Sequence, residues 1–414
     1  MTSSDIPRPT AVRRRALVVG AGISGLSAAT ALHTAGWDPV IVERSEARRR
    51  GGYLIAMYGC GRIAAERIGL RGIRNRITAS GTHQVDRQGR RRPALGFQDL
   101  PGGPWMMLRG DVERAAFEAL PDDTDLRFAT SPTAIDQDAD GVTVTLHDTR
   151  NDRTTTERFD LVVGADGLRS TVRKLVWGPH EDHLHPLGFM ITAFELPEAL
   201  PGLASQDGAI LSEPGRSFWV FPFADHPPTV LFSYQTDDVA AERARAKQVG
   251  VAARLRELYG PEPLGDLMEA ALQHLERADE FLFDSVEHAR VDRWHQGRVV
   301  LVGDSAWCPT LYSGMGATSG LAGADLLGLM LRRHPDDLET ALTEWERKLR
   351  PAIADFQESA YPMRRIFTQT SAQEQRRHNR TLGIRKLMFR FPPLIRLLSQ
   401  TKHFRLRNSD LAAA

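Results

Sequence analysis

A glycine-rich turn between a short apolar strand and a helix constrains this chain more than any other feature. Residues 16–20 are apolar and predict a buried strand, and residues 24–35 carry apolar side chains at helical spacing. Between these segments, Gly20, Gly22 and Gly25 follow the pattern G-x-G-x-x-G. Such a turn lets the backbone approach a pyrophosphate, and the free N–H groups of the helix N-terminus stabilise its negative charge. The turn therefore predicts a nucleotide-binding unit.

A second strand and an acidic residue extend this unit. Residues 39–42 predict a second buried strand, which completes a β-α-β unit, and Glu43 follows it directly. A carboxylate at this place accepts hydrogen bonds from ribose hydroxyls. The motif by itself does not distinguish FAD from NAD, and a glycine-rich turn that binds no ligand stays open as the alternative.

Two later segments again combine a buried strand with glycine and aspartate. Residues 159–163 predict a strand that leads to Asp166-Gly167, and residues 298–302 predict another that leads to Gly303-Asp304. The second segment is followed by Gly314-Met315-Gly316 and by a predicted long helix over residues 317–333. Three ordered motifs thus occur across the first four fifths of the chain.

With these motifs the chain resembles the group A FAD-dependent aromatic hydroxylases, the para-hydroxybenzoate hydroxylase-like family. It is nearest the subgroup of tetracycline and aromatic-polyketide monooxygenases, and the resemblance spans roughly residues 15 to 335. It implies that NADPH or NADH reduces a bound FAD, and that O2 then forms a flavin C4a-hydroperoxide, which hydroxylates a hydrophobic, aromatic or polyketide-like small molecule. A flavin-dependent reductase or desaturase and a non-catalytic FAD protein that shelters a reactive intermediate stay open.

The resemblance also implies roles for individual residues. The expected cofactor-binding residues are Gly20, Gly22, Gly25, Glu43, Arg44, Arg109, Asp166, Asp304, Gly314, Met315 and Gly316. Among them, Arg109 corresponds to an arginine near the pyrophosphate, and Asp304 to a carboxylate that binds ribityl or ribose hydroxyls. Arg48 resembles an arginine implicated in nicotinamide binding. A helix that begins near Thr318 is expected to stabilise negative charge on the reduced flavin. No catalytic acid or base and no metal ligand is assigned.

An aromatic segment predicts where the substrate binds. Residues 187–234 read as strands separated by Pro and Gly, and Trp219, Phe221 and Phe223 alternate along one of them. These three side chains are candidates for the lining of a substrate cavity, with the core of the sheet as the alternative.

The expected architecture is an α/β fold, in which a mixed-sheet substrate domain is inserted into a Rossmann-like FAD-binding domain. The predicted FAD-binding domain comprises residues 1–75, 105–180 and 285–360. The predicted substrate domain comprises residues 76–104 and 181–284, and residues 361–414 form a C-terminal helical segment.

Composition narrows the partners and the location. Lys plus Arg (53) nearly equals Asp plus Glu (52), which argues against nucleic acid as the partner. Cys60 and Cys308 are the two cysteines, so a disulfide framework is not expected. The apolar runs in the sequence are too short to predict a membrane span or a secretory signal. We therefore expect a cytoplasmic monomer, and for the basic residues 375–407 we favour packing across the domains over a membrane surface.

Overall fold

The computed structural model describes residues 13–48, 51–78, 80–96, 99, 103–388, 393, 397 and 400–413, and side chains are not described for residues 382–388. The strands in chain order are β1 Arg15–Val19, β2 Asp38–Val42, β3 Leu54–Met57, β4 Thr82–Val85, β5 Arg91–Ala94, β6 Trp105–Leu108, β7 Asp125–Arg127, β8 Thr130–Gln137, β9 Val142–Asp148, β10 Arg153–Phe159, β11 Leu161–Gly164, β12 Leu184–Glu195, β13 Gly208–Glu213, β14 Arg216–Phe221, β15 Thr229–Gln235, β16 Leu282–Ala289, β17 His295–Gln296 and β18 Val299–Leu301.

The helices surround these strands and dominate the C-terminal part of the chain. They are α1 Ile23–Thr34, α2 Gly59–Ile68, α3 Arg109–Glu118, α4 Thr171–Trp177, α5 Val239–Val249, α6 Val251–Tyr259, α7 Asp266–Leu275, α8 Asp304–Trp307, α9 Thr310–Ser313, α10 Gly316–Arg333, α11 Leu338–Phe367, α12 Ala372–Met388 and α13 Lys402–Asn408. The long helix α10 begins one residue before the predicted helix over residues 317–333 and ends with it at Arg333.

A six-stranded sheet forms the first layer, in the order β17-β18-β11-β1-β2-β7. All its pairs are parallel except β17–β18. Its central strands are buried, and the run of apolar residues in Leu17, Val18 and their neighbours is typical of a parallel sheet covered on both faces. In such a sheet, ligands bind at the carboxyl ends of the strands, which here are the ends of β1, β11 and β18.

A seven-stranded sheet forms the second large layer, in the order β16-β12-β15-β14-β13-β4-β5. Its pairs are antiparallel except β13–β4. Along β14, Phe218 and Val220 face one apolar cluster, whereas Trp219 and Phe221 face another. The alternation that the sequence predicted is therefore present, and each face of this strand is buried.

The two sheets and the C-terminal helices agree with the expected α/β architecture. The predicted boundary between residues 284 and 285 falls inside β16, and helix α11 crosses the predicted boundary at residue 360. Strand β16 belongs to the seven-stranded sheet, so that sheet extends further along the chain than the predicted substrate domain. The division into domains stays a prediction.

The C-terminal helices pack against the rest of the protein. The indole N–H of Trp219 donates to the carbonyl oxygen of Phe367 at the end of α11 (3.2 Å). In α13, Arg407 donates to Ser359 Oγ (2.8 Å), and Asn408 Oδ1 accepts from the N–H of Gly59 (3.2 Å). These contacts fit the packing expected for the basic C-terminal region; of its apolar residues, Phe389, Phe391 and Ile395 lie outside the described residues, as do the side chains of Leu387 and Met388.

Candidate functional site

Two of the three glycines in the first motif are required by close backbone contacts. Gly20 has φ +106°, and a Cβ there would lie 2.5 Å from the carbonyl oxygen of Ala165. A Cβ on Gly25 would lie 1.9 Å from the carbonyl oxygen of Gly20. Gly22 instead faces open space, because the nearest atom to its Cβ position is Arg109 Nη2 at 3.8 Å. The turn is thus closed on the protein side and open on the side where a ligand binds.

Glu43 fixes this turn from the end of the second strand. Its Oε2 accepts from the N–H of Ala21 (2.9 Å), and its Oε1 accepts from the N–H of Ser45 (2.9 Å). The neighbouring Arg44 is exposed and does not line the cavity described next. Glu43 therefore stabilises the turn through the backbone, whereas nothing in the described contacts of the chain orients Arg44.

A cavity of about 300 Å³ lies between the carboxyl edge of the six-stranded sheet and the face of the seven-stranded sheet. At the carboxyl edge of the six-stranded sheet, the cavity is lined by the N-terminal turn of α1, the first residue of α3 and the segments that follow β11 and β18. The side of the cavity toward the first sheet is lined by Gly22, Ile23, Ser24, Arg109, Ala165, Gly167, Leu168, Asp304, Gly314, Gly316 and Ala317. The opposite side is lined by Ile191, Phe221, Leu231, Leu282, Asp284, Ser285, Val286 and Glu287.

Arg109 begins helix α3 and lines the cavity. Its backbone N–H donates to the carbonyl oxygen of Tyr53 (2.9 Å), which fixes the head of the helix. Among the described residues, no side chain or carbonyl forms a hydrogen bond or ion pair with its guanidinium. A free guanidinium beside the Gly22 turn is suited to bidentate binding of a phosphate.

Asp304 follows the left-handed Gly303 (φ +72°) at the end of β18. Asp304 as a whole is only partly buried and lines the cavity. Its Oδ1 atom, however, is buried and has no hydrogen-bond partner among the described residues. Burial raises the pKa of the Asp304 carboxyl above its ordinary value, while Cys308 and Arg109 oppose this rise. Because buried acceptors are rarely left unsatisfied, this oxygen fits a cofactor that supplies a hydroxyl donor.

The Gly314-Met315-Gly316 segment differs in detail from the expectation. The N–H groups of Gly314 and Met315 donate to Leu311 O and Ser313 Oγ, each at 3.0 Å, so neither is available to a ligand. The Met315 side chain is buried in the core, and only the two glycines line the cavity. The available N–H groups are those of the first turn of α10, which begins at Gly316. The N–H groups that a ligand can reach therefore belong to the first turn of α10, and not to the Gly314-Met315-Gly316 segment as a whole.

Asp166 has a role within the protein. Its Oδ1 accepts from Ser170 Oγ (2.5 Å), and its Oδ2 accepts from the N–H groups of Thr171 (2.6 Å) and Val172 (3.2 Å). These bonds satisfy the N-terminus of α4, and burial raises the pKa of the Asp166 carboxyl. Gly167, and not Asp166, lines the cavity.

Arg48 lies away from the cavity and is already paired. Its guanidinium donates to both oxygens of Glu113 (3.1 and 3.0 Å) and lies 3.9 Å from the centre of the Phe117 ring. The adjacent Arg49 and Arg50 lie outside the described residues. This geometry gives no support to the expected contact between Arg48 and a nicotinamide.

Of the three candidate aromatic residues, only Phe221 lines the cavity. Trp219 stacks behind it, with ring centres 5.7 Å apart. Phe223 lies beyond the end of β14, where it is buried against His226. Trp219 and Phe223 thus belong to the core, which was the alternative interpretation of the pattern.

Comparison with known proteins identifies the family. Residues 13–335 match the family described as "FAD binding domain". The chain belongs to this family. A "Flavin-dependent monooxygenase" from an unknown prokaryotic organism is 28% identical over 359 residues, which are 81% of this chain and 85% of that protein. "Monooxygenase CTB7" of Cercospora beticola is 30% identical over 368 residues, which are 83% of this chain and 85% of that protein.

Two solved structures of other proteins share the fold. Tetracycline destructase Tet(51) matches with a TM-score of 0.72 and 23% identity, over 92% of this chain and 98% of that chain. Klebsiella pneumoniae HpxO, solved with FAD and uric acid, matches with a TM-score of 0.67 and 21% identity, over 91% and 96% of the two chains.

These findings confirm four expectations from the sequence: the family, the α/β fold, FAD as the cofactor and the class of enzyme. The chain is an FAD-dependent monooxygenase. Over the described residues, none of the helices combines the length and the apolar character needed to cross a membrane.

Sequence reasoning missed much of the cavity lining of this monooxygenase. Tyr312 in α9 and Met363 and Phe367 near the end of α11 line the cavity, although they lie far along the chain from the aromatic strand. The carboxylates of Asp284 and Glu287 on β16 were also missed. No motif marks these residues, because the packing of α11 and the pairing of an edge strand place them at the cavity.

Proposed function

We propose that this FAD-dependent monooxygenase hydroxylates a hydrophobic, aromatic or polyketide-like small molecule, with NADPH or NADH as the transient electron donor. One observation carries the proposal: a single cavity joins the open Gly22 turn and the unsatisfied Asp304 oxygen to a largely apolar sheet face. The side with Gly22 and Asp304 fits the cofactor, and the apolar face of the seven-stranded sheet fits a hydrophobic substrate.

FAD is proposed to extend along the carboxyl edge of the six-stranded sheet. Gly20, Gly22 and Gly25 form the turn for its pyrophosphate, and Arg109 binds the phosphate oxygens through its unpaired guanidinium. Asp304 accepts a hydrogen bond from a sugar or ribityl hydroxyl. When bound, the flavin supplies the two-electron chemistry that activates O2.

Glu43, Gly314 and Gly316 complete the proposed cofactor site. Glu43 acts through the backbone of the turn, and Gly314 and Gly316 allow close approach of the flavin edge. Roles for Asp166 and Met315 in FAD binding, and for Arg48 in nicotinamide binding, require rearrangement of the contacts described above, whereas a role for Arg44 requires its exposed side chain to turn toward the cavity. We also propose that the protein is a monomer and that it is cytoplasmic; the two free and buried cysteines support the second of these proposals.

The apolar wall of the cavity, formed by Ile191, Phe221 and Leu231, contributes to the reaction by excluding water. Phe221, Leu231 and Ile191 exclude water from the side of the cavity that faces the seven-stranded sheet. Exclusion of water directs the oxygen atom to the substrate and limits the release of H2O2. The chain therefore contributes orientation and dryness, while the reactive chemistry belongs to the cofactor.

The test uses the purified protein, NADPH or NADH, isotopically labelled O2 and a panel of phenols and aromatic polyketides. The expected product gains about 16 Da of oxygen, as the chemistry of the cofactor requires, with the label derived from O2. A product that has lost two hydrogens without a gain of oxygen indicates a reductase or desaturase instead. FAD-loaded protein that binds ligands without ligand-dependent NAD(P)H oxidation indicates a protein that shelters an intermediate.

A further inference from the structure

A charged edge borders the apolar wall of the cavity along strand β16. Asp284, Ser285 and Glu287 line the cavity there. Arg169 forms an ion pair with Glu287, and Arg243 forms one with Asp284. Arg169 donates to both oxygens of Glu287 (3.0 and 2.5 Å) and to Ser285 Oγ (2.8 Å). Two carboxylates thus face two guanidinium groups, and the hydrogen bonds hold the edge in one arrangement.

The two carboxylates differ in how their oxygens are used. Both oxygens of Glu287 accept from Arg169, and although burial favours the neutral acid, bonds from Arg169 and Ser285 hold the pKa of Glu287 below its ordinary value. In Asp284, only Oδ1 is used: it accepts from Arg243 and from the N–H of Ser285 (2.7 Å). Within the part of the chain that the structure describes, Oδ2 of Asp284 has no hydrogen-bond partner. Asp284 is therefore oriented through one oxygen and offers the other as an acceptor.

Strand pairing places Asp284 beside the apolar wall. Asp284 on β16 lies directly opposite Ile191 on β12, so the two side chains share one face of the sheet. Leu282, two residues earlier on β16, lies on this face as well and pairs with Ala193. A charged acceptor therefore borders a surface that is otherwise suited to the face of an aromatic ring.

We propose that Asp284 binds a hydroxyl or N–H donor of the substrate and so orients its ring system in the cavity. This inference rests on the function proposed above and makes Asp284 the residue that selects, among aromatic compounds, those that carry a free hydrogen-bond donor. An ionised carboxylate only accepts hydrogen bonds, so it binds a phenol and does not bind the corresponding methyl ether in the same way. The wall formed by Ile191, Phe221 and Leu231 binds the ring itself.

The test compares 2-naphthol with 2-methoxynaphthalene, which share one ring system and differ in the donor. Binding of each to the oxidised, FAD-loaded protein is measured at equilibrium from the change in the flavin absorbance spectrum. The unsubstituted protein is expected to bind 2-naphthol about tenfold more tightly, as one hydrogen bond to a charged group implies. Asp284→Asn is expected to abolish this preference, because an amide both donates and accepts hydrogen bonds and can therefore bind the ether oxygen as well as the hydroxyl.

Asp279→Asn is the matched control, because Asp279 is exposed, precedes the same strand and does not line the cavity. It is expected to change neither affinity. Equal binding of the two probes by the unsubstituted protein, failure to bind either, or equal weakening of both by Asp284→Asn would each overturn the proposal. These measurements need no turnover, so they are distinct from a failure of the proposed function, which appears as a product without added oxygen.

Discussion

Replacing Asp304 with alanine is expected to stabilise the FAD-free protein and to weaken its binding of FAD. In the FAD-free protein, Asp304 Oδ1 is buried and unsatisfied, and burial raises the pKa of its carboxyl. An unsatisfied buried polar atom costs about 1–3 kcal/mol, so Asp304→Ala should raise the free energy of unfolding of the FAD-free protein by about this amount. The same change removes an acceptor for FAD and should weaken FAD binding by about 1–3 kcal/mol, or roughly 5- to 150-fold.

Two measurements separate these effects. Urea unfolding of the FAD-free protein, followed by tryptophan fluorescence, gives the first, and titration with FAD, followed by flavin fluorescence, gives the second. Glu346→Gln is the control, since Glu346 is also buried but accepts hydrogen bonds from the N–H of Trp294 (3.0 Å) and from His295 (2.9 Å). It should destabilise the FAD-free protein and leave FAD affinity unchanged.

The reasoning is refuted if Asp304→Ala destabilises the FAD-free protein, or if its dissociation constant for FAD stays within about twofold of the original. The first result would mean that Oδ1 is satisfied in solution without FAD. The second would mean that the cofactor does not use this carboxylate.

Further predictions concern the phosphate contact, the flavin edge and the pH dependence of stability. Arg109→Lys should weaken FAD binding about tenfold in a fluorescence titration, whereas Arg92→Lys, at an exposed site outside the cavity, should not; equal effects would contradict the assignment. Gly314→Val should lower the melting temperature and increase H2O2 release, because Gly314 has φ +67° and lines the cavity; Gly69→Val, at φ +91° on the surface end of α2, should lower only the melting temperature. Burial raises the pKa of Asp325 to about 6, while an unfolded aspartate titrates near 4, so Asp325 should lower the free energy of unfolding by roughly 2 kcal/mol as the pH rises from 4 to 6. Urea unfolding at both pH values should show a smaller fall for Asp325→Asn, and an unchanged fall would exclude Asp325 as its cause.

The cofactor half of the site was predictable from the sequence because its constraints are local. Gly20 and Gly25 lie within one turn, and Gly25 is required by its contact with the carbonyl oxygen of Gly20 in that same turn. The contact of Gly20 with the distant Ala165 is not visible in the sequence, but the spacing of the glycines is. Asp304 was found in the same way, since it follows a buried strand and the left-handed Gly303. Local sequence patterns therefore mark most of the segments that are proposed to bind the cofactor.

The partners of charged side chains were not predictable, because they depend on packing between distant segments. Arg48 was assigned to a nicotinamide, yet its partner in the fold is Glu113 on α3. Asp166 was assigned to the cofactor, yet it satisfies the first turn of α4. A motif identifies a segment near the cofactor, whereas the hydrogen bonds of each residue within it are decided by the tertiary structure.

The substrate half was the least accessible to prediction. Alternation along β14 predicted the faces of the strand correctly, but it did not tell which face borders a cavity and which borders a helix. Phe367 reaches the cavity only because α11 docks on this sheet, where its carbonyl accepts from Trp219. Such long-range docking leaves no periodic signal in the sequence.

The close packing of α1 against α10 has a consequence for how the two ends of the cofactor are spaced. A Cβ on Gly320 would lie 2.4 Å from Ser24 Oγ, and one on Gly328 would lie 2.8 Å from the Ala31 carbonyl oxygen. In the proposed binding mode, FAD extends from the glycine turn at the start of α1 to Gly316 at the start of α10. The distance between these helices would therefore set the distance between the two ends of the cofactor site. A side chain inserted at either glycine would increase the distance between α1 and α10. It would not replace any of the residues that are proposed to contact FAD. Loss of FAD in such a variant would mean that the spacing of the site, and not its chemistry, had been changed.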